Sequence, residues 1–487
     1  MSDTTTHLAE RESVCPEPRT APEGAPARVV GAAAPAREPL GSRFAHLFAF
    51  SGLSNLADGI LYVGVPLYAT TLTTSPGQVS LVSAALTAPW LVLGLLAGLL
   101  VDRHDRVRLL VAASLVRVLV FAGAALAASA GVLTMPVLLV LLLLLGSAEV
   151  LADGSSSALV PDVTPRSRLA AASSRLQGVQ LVANHFLGAP LAGVLLALGA
   201  GWYFGAPAAL VLAGVLVTAR GLWGKVARVV RPQHDERGDA RRELRLGLRF
   251  LRHHPVIRPL VLGGAAFNGL SNAYMAVLVL WVVGPSSAVG LAPEHYGLLA
   301  VGLAAGGLLG AVLAERIVGV GRERTVVAVT WGISAALLAV PALVPTVWAV
   351  AGAYALIGFF NTVGNTATSA LRQRIVPSHL LGRVQGAAVT ISYGAMPLGA
   401  LLGGVVAELL GVRSLMLLVA ACSVLVAAGT VRALSQRVID LAGVLAERGE
   451  DEAILRAVPR RRSLLALAAS VDGRPGAPWL EGPQLPR

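Results

Sequence analysis

The hexapeptide Phe50-Ser51-Gly52-Leu53-Ser54-Asn55 returns as Phe267-Asn268-Gly269-Leu270-Ser271-Asn272, with five of six residues kept and an offset of 217 from position 50 to position 267. A second phrase, Gly146-x-x-Glu149-x-x-x-Asp153-x-x-x-Ser157-Ala158-Leu159, returns as Gly358-x-x-Asn361-x-x-x-Asn365-x-x-x-Ser369-Ala370-Leu371, 212 residues on. A third, Arg175-Leu176-Gln177-Gly178, is echoed by Arg383-Val384-Gln385-Gly386 at an offset of 208. Three echoes in one order mean that two similar halves follow each other, so whatever fold is chosen must be adopted twice.

The halves are apolar. The chain is 55% hydrophobic and 14% charged, with a mean hydropathy of +0.71, values foreign to a water-soluble domain. Crossing the hydrocarbon of a bilayer takes about 20 apolar residues in a helix. Twelve such stretches are predicted, near 45–69, 79–101, 108–130, 133–157, 175–198, 202–222, 257–283, 295–314, 325–343, 346–368, 385–407 and 413–432. These are numbered spans 1 to 12. The fold class expected is an all-α integral membrane protein, twelve transmembrane helices in two pseudo-symmetric bundles of six. The expected organisation is a disordered tail over 1–43, one bundle over 44–222, a linker over 223–256, a second bundle over 257–434 and a tail over 435–487. Parallel repeats of membrane-spanning halves are used by secondary transporters, with a shared site between them near the midplane.

Arginine sets the orientation. The odd loops (70–78, 131–133, 199–201, 284–294, 344–345, 408–412) hold no Lys or Arg, whereas the even loops hold Arg103, Arg106, Arg108, Arg166, Arg168, a run from Arg228 to Arg258, Arg316, Arg322, Arg324, Arg372, Arg374 and Arg383. Lys and Arg are retained on the cytoplasmic side, which places both termini there, in a bacterial inner membrane. The net charge of +12 then reflects this bias and attraction to anionic membrane lipid; no basic folded domain suited to nucleic acid is present. Residues 239–253 alternate Leu244, Leu248 and Leu251 with five arginines, predicting a basic amphipathic helix on the inner leaflet that tethers the halves. A further helix is expected from 436. His104, His253 and His254 fall in even loops and are expected in water. Cys15 and Cys422 form no disulfide framework, and the first 43 residues lack the apolar core of a cleavable signal.

Ionisable residues within the spans are few: Asp58, Glu149, Asp153, Arg117 and Arg220. Each needs a cavity, a partner or a proton, since a charge at the bilayer centre costs several kcal/mol. Asp58 falls mid-span with Asn55 one turn before it, and Asn268 and Asn272 lie at similar depth in span 7. The four are expected to form one cluster for substrate or proton contact, the plainer alternative being a structural acid satisfied by a nearby Asn or Ser. Glu149 and Asp153 share a helix face, one turn apart, and Glu149 is the candidate titrating group. Their counterparts Asn361 and Asn365 keep polarity without charge. At the end of span 2, Gly94 and Gly98 form a face for close helix approach. Asp102 follows with Arg103 and Arg106, and Asp153 is their expected partner. Together they read as a conformational latch. No Walker loop, metal-ligand spacing or nucleophile elbow occurs, so neither a cofactor nor an enzymatic activity is expected.

Gly98, Leu100, Asp102, Arg103 and Arg106 resemble the G-x-L-x-D-R-x-G-R signature of the major facilitator superfamily, with Asp105 in place of the second glycine. A worn copy, Gly306-Gly307-x-x-Gly310 with Glu315-Arg316 and Arg322, stands in the second half, and the resemblance spans about 45–434. Within the superfamily the chain is most similar to bacterial exporters of the macrolide-efflux and enterobactin-exporter type. Leu56-Ala57-Asp58-Gly59, Ala158-Leu159-Val160-Pro161, Ile375-Val376-Pro377 and Gly382-Arg383-Val384 carry that likeness. In span 5, Gly188, Pro190 and Gly193 resemble the G-P-x-x-G-G motif of drug antiporters with an alanine interposed. The arginine many antiporters carry in span 4 is replaced by acids. The resemblance implies a monomer in which spans 1 and 7 line a central cavity, and export of a hydrophobic or amphiphilic small molecule by alternating access in exchange for protons. A solute importer of the same fold and a non-transporting membrane sensor or scaffold are the alternatives.

The orientation is open to test. In a cysteine-free background, Thr74→Cys and Ala288→Cys should label from outside intact cells and Glu236→Cys should not. External labelling at 236 would overturn both the inside-positive assignment and the span count.

Overall fold

A backbone in hydrocarbon has no water to bond to, so an apolar run satisfies its own N–H and C=O groups by becoming helix. The computed structural model, which describes residues 40–224, 240–319, 321–376 and 378–447, follows this rule throughout. Among the described residues, twelve helices are long and apolar enough to cross a membrane. Spans 1 to 6 are Gly41–Leu72, Pro76–Arg103, Arg106–Ser129, Met135–Val163, Arg166–Leu198 and Ala200–Leu222. Spans 7 to 12 are Ile257–Val282, Pro293–Ile317, Glu323–Leu343, Val347–Ile375, Ser378–Leu410 and Val412–Ala433. Each matches the stretch read from hydropathy to within two residues or contains it. Most run further, because a helix continues into the polar boundary until a cap or a glycine stops it.

Those stops are legible in chemistry. Ser75 caps span 2, its Oγ accepting from the Gln78 amide at 3.3 Å, with Pro76 following where no N–H is needed. Asp105 caps span 3, its Oδ1 accepting from the Val107 and Arg108 amides at 3.0 Å each. The residue that departs from the glycine of the superfamily signature thus starts the next helix. Gly199 alone joins spans 5 and 6, and Gly411 alone joins spans 11 and 12, with φ of 127° and 83°. A one-residue reversal needs the left-handed region, which glycine enters without strain. The two glycines lie 212 positions apart, at the offset of the second sequence echo.

The packing is inside-out relative to a soluble protein. One core joins spans 1, 2, 3, 4 and 6 through residues such as Leu61, Leu142, Tyr203 and Phe204. Another joins spans 7, 8, 10, 11 and 12 through Tyr274, Leu299, Tyr354 and Met416. Leu119, Leu126, Leu402 and Leu409 stay exposed on the outer helix faces, as lipid-facing positions must. Exposed Trp202 and Trp348 sit at the odd-loop ends of their spans and Trp223 at an even-loop end, where amphipathic rings mark the membrane boundary.

The halves meet along spans 2 and 11. Ala84, Ala276 and Ala400 pack together there, and a Cβ built on Gly394 would lie 2.8 Å from Leu91. One carboxylate closes the odd-loop end: Glu408 Oε2 of span 11 accepts from Ser75 Oγ at 2.8 Å and from the Gly77 amide at 2.9 Å. An acid at the C-terminus of its own helix is electrostatically misplaced. At the N-terminus of span 2 it is well placed. Toward the even-loop end the glycines of these two helices face open space. No described atom lies within 4 Å of a Cβ built on Gly94, Gly98, Gly382 or Gly386.

Several expectations change here. The tails over 1–39 and 448–487 and the linker stretch 225–239 lie outside the described residues. The helix expected from 436 is present over Gln436–Glu447. The basic helix forms over Ala240–His253, but it is docked on protein. Phe250 and Leu251 are buried against Ile257, Val384 and their neighbours, and a Cβ on Gly247 would lie 2.6 Å from the Arg383 carbonyl. Its apolar side is thus covered by the second half at Phe250 and Leu251, while Leu248 is exposed; the side chain of Leu244 lies outside the described residues. His254, expected in water, is fully buried. Its ring stacks on Phe250 with centroids 5.0 Å apart, and Nδ1 accepts from the Val256 and Ile257 amides at 3.2 Å, capping span 7.

Burial pushes the His254 imidazole down to about 3. The unfolded chain takes up the proton from about pH 6.5. The cap's stabilisation is therefore complete above that pH and falls by about 1.4 kcal/mol per unit below it, until pH approaches the folded value. Thermal melts at pH 8 and pH 5 should show the advantage of the wild type over His254→Asn shrinking in acid. An unchanged difference would mean that His254 is solvated in the folded protein.

Candidate functional site

Ser54, Asp58 and Tyr62 are spaced four apart on span 1, so all three project from one face. That face meets spans 3 and 4. Arg117 of span 3, its side chain 1% exposed, forms an ion pair with Asp58, 5% exposed, and its Nη1 donates to Ser54 Oγ at 2.7 Å. Tyr62 donates its hydroxyl to Glu149 Oε1 of span 4 at 2.9 Å. Glu149 is buried, and its Oε2 has no partner among the described residues. Asp153 lies one turn on, and Arg117 interacts electrostatically with Asp58, Glu149 and Asp153 together. Three carboxyl groups thus share one guanidinium inside the first half.

Span 5 braces this face. Its segment Val182–Gly188 widens into a π-helix, immediately before Pro190, which offers no N–H to the carbonyl four residues back. The widened turn carries Asn184, whose Nδ2 donates to Asn55 Oδ1 at 3.3 Å, while Asn55 Nδ2 donates to the Ser51 carbonyl at 2.8 Å. Gly188 passes so close to span 1 that an added Cβ would lie 2.8 Å from Gly59 Cα. Gly193 makes a similar approach to the start of span 8, 2.8 Å from the Pro293 carbonyl oxygen, and Gly297 abuts Ala189 beside Pro190. The three span 5 residues therefore serve helix contact on both sides.

A central cavity of about 290 Å³ opens between the halves, with Tyr62, His185, Asn272, Met275, Tyr296 and Tyr354 among its lining residues. Aliphatic side chains, tyrosines and methionines make up most of its wall, which suits an apolar or amphiphilic ligand. Tyr62 belongs both to the cavity wall and to the Glu149 hydrogen bond. Trp90 and Tyr393 stack across the halves with centroids 5.6 Å apart.

The expected polar cluster of spans 1 and 7 is not a single site. Asp58 turns to Arg117, since a buried carboxylate is stabilised far more by a cation than by an amide. Asn272 lines the central cavity, whereas Asn268 lines a separate cavity with Asn361 and Asn365 in the second half. The latch is also rearranged. Arg106 pairs with Asp162 at 2.7 Å and donates to the Ala158 carbonyl at 3.1 Å, so Asp153 is not its partner. Asp162 is nine residues further along span 4, about 13 Å nearer the loop that carries Arg106. Gly94 and Gly98 face open space, so the close helix approach expected of them is not made. Arg103 is exposed, and the Asp102 side chain lies outside the described residues.

Two residues were missed as partners. Arg117 was visible as a lone cation in an apolar span, and that alone requires a buried acid. Glu408 stood just beyond the stretch assigned to span 11, and its signal was an anion in the last turn of a helix.

The chain matches the family described as "Transmembrane secretion effector" over residues 30–459. It is 24% identical over 387 residues to Macrolide efflux protein A of Streptococcus pyogenes, covering 77% of this chain and 92% of that protein. Among solved structures it is similar to a point mutant of the nucleoside transporter NupG, with TM-score 0.66, 14% identity, 81% of this chain and 100% of that one. It is also similar to a bacterial homologue of the iron transporter ferroportin in an inward-facing state, with TM-score 0.63, 15% identity, 81% of this chain and 100% of that one.

If Asp58 and Arg117 neutralise each other, removing either should leave an uncompensated charge costing about 3–5 kcal/mol. Asp58→Asn or Arg117→Gln alone should lower the melting temperature of purified protein, and the double variant should recover most of the loss. Additive losses in the double variant would show that the two side chains act independently.

Proposed function

Because this chain belongs to the transmembrane secretion effector family of the major facilitator superfamily, we propose that it exports a hydrophobic or amphiphilic small molecule, exchanging it for protons by alternating access. The observation that carries the reading is the Tyr62 hydroxyl, which stands in the wall of the cavity and donates to Glu149. A ligand that engages this hydroxyl withdraws a donor from Glu149, and a proton on Glu149 can take its place. Three acids around one arginine leave two negative charges which an apolar interior requires to be cancelled. Protons or a cationic ligand supply that cancellation, so occupancy of the cavity and occupancy of the acids are linked.

Direction follows from the arginine asymmetry. The reading takes the even loops as cytoplasmic: the open space beside Gly94, Gly98, Gly382 and Gly386 supports a cavity that opens there, and the Glu408 contacts with span 2 support an outer end that is closed. This is the state that loads an exported substrate. Outward opening would release Glu408 from the start of span 2 and bring Gly94 and Gly98 toward the other half, which is where the latch of Asp102, Arg103 and Arg106 would engage. The likeness to a macrolide efflux protein supports export and an amphiphilic cargo.

Reconstituted vesicles with an imposed pH gradient and a panel of amphiphilic compounds, macrolides included, provide the test. The wild type should move compound against its gradient and carry protons the other way. Glu149→Gln should bind compound within a few-fold of wild type yet lose pH-driven movement by at least tenfold, and Tyr62→Phe should weaken the dependence of binding on pH. Proton movement that survives in Glu149→Gln and fails in Asp58→Asn would assign coupling to Asp58. Movement of compound with the proton, in the same direction, would make the protein an importer.

A further inference from the structure

The cavity that receives Asn268 is a second space of about 290 Å³, enclosed by spans 7, 9, 10 and 11 of the second half. It occupies the position, by the internal repeat, of the acid cluster in the first half: Asn361 and Asn365 stand where Glu149 and Asp153 stand. Its chemistry is reversed. Arg372 lines it and no carboxylate does. Arg372 Nε is buried without a hydrogen-bond partner among the described residues, and so is Ser334 Oγ in the same wall. The acid nearest in sequence on the adjoining helices, Glu323, is already engaged: it accepts from Arg374 at 3.0 Å, from Gln436 at 2.8 Å and from the Gly321 amide at 2.9 Å.

The amides add donors. Asn365 Nδ2 donates to Asn361 Oδ1 at 2.7 Å, which fixes the orientation of Asn361 and frees its own amide nitrogen to donate. Asn268 brings another, and Trp331 supplies an aromatic wall, held by Phe267 with ring centroids 6.0 Å apart. A guanidinium, amide N–H groups and a hydroxyl around a void with no opposing acid form a donor-rich site. Its buried donors without acceptors are Arg372 Nε and Ser334 Oγ, while Asn361 and Asn365 are exposed; an anion with several oxygens would satisfy the buried pair and still reach the amides.

We propose that this cavity is a binding site for an oxyanion, a carboxylate or phosphate group, distinct from the central cavity. The same chemistry is offered by a free organic or inorganic anion and by the headgroup of an anionic phospholipid. The site does not depend on the direction of transport or on proton coupling, so its failure and theirs are separable.

Trp331 gives a local readout. Purified full-length protein in phosphatidylcholine nanodiscs is titrated with benzoate and with inorganic phosphate, and the Trp331→Phe signal is subtracted from the fluorescence change. A second series exchanges phosphatidylcholine for phosphatidylglycerol without added anion. A saturable response to benzoate or phosphate identifies a free anion, and a response to phosphatidylglycerol alone identifies a headgroup. Either should weaken at least tenfold in Arg372→Gln and persist in Arg316→Gln, an exposed arginine away from the cavity. Asn361→Asp, which changes one atom and places an acid in the site, should abolish the response while leaving the melt intact. The proposal is overturned if none of the three probes gives a saturable response. It is equally overturned if Arg372→Gln and Asn361→Asp bind like wild type, or if Arg316→Gln loses binding to the same extent.

Discussion

A guanidinium in the interior of a membrane protein cannot stand alone, and Arg117 settles where much of the first half must lie. Its neutralisation by Asp58 fixes the rotation of span 1 against span 3, and the same rotation sends Ser54 to Arg117 and Tyr62 to Glu149. Span 4 must then approach with its acidic face, and span 5 must close behind span 1. The fit is tight enough that Gly59 and Gly188 leave no room for side chains. The cost of an unpaired charge in hydrocarbon is thus converted into a unique arrangement of four helices.

The second half solves the same packing problem without a carboxylate at the matching positions. Asn361 and Asn365 hold each other, and the place of the ion pair is taken by a void edged with donors. Amides at these positions hold their contact whatever the pH. The half with three acids does not have that freedom. A transporter of two repeats therefore need not divide its labour evenly: one repeat can respond to protons while the other remains a fixed wall. The shared frame shows in Gly199 and Gly411, which reverse the chain at equivalent corners.

Hydropathy and the repeat made the twelve helices legible, because both depend on properties of single residues read in order. The span-end chemistry was readable too, although Asp105 looked like a defect in a motif until its role as a cap emerged. Partners were harder. Asp58 and Arg117 are 59 residues apart, and nothing in either neighbourhood names the other. The same gap misled the reading of Asp153, since helical depth alone does not say which of two acids on span 4 an arginine on span 3 will reach. Asn268 and Asn272 share a helix face, yet a few ångströms of depth divide them between two cavities. The basic linker helix was legible as a helix, but its contact with the second half through Phe250 and Leu251 was not, because an amphipathic pattern specifies an apolar surface and not what covers it.

The meeting of spans 2 and 11 at Ala84, Ala276 and Ala400 has a mechanical meaning. Side chains of one carbon allow one helix to roll over another with little resistance, which makes the trio a fulcrum. From Ala84 to Arg103 span 2 extends about 28 Å, with Trp90 and Leu91 in contact with span 11 on the way. Rotation by about 10° at the fulcrum would sweep its tip through about 5 Å, the rise of a single helical turn. Displacements too small to disturb the core are thereby magnified toward a gate, and Pro89, which removes one backbone hydrogen bond from span 2, gives the helix a place to bend.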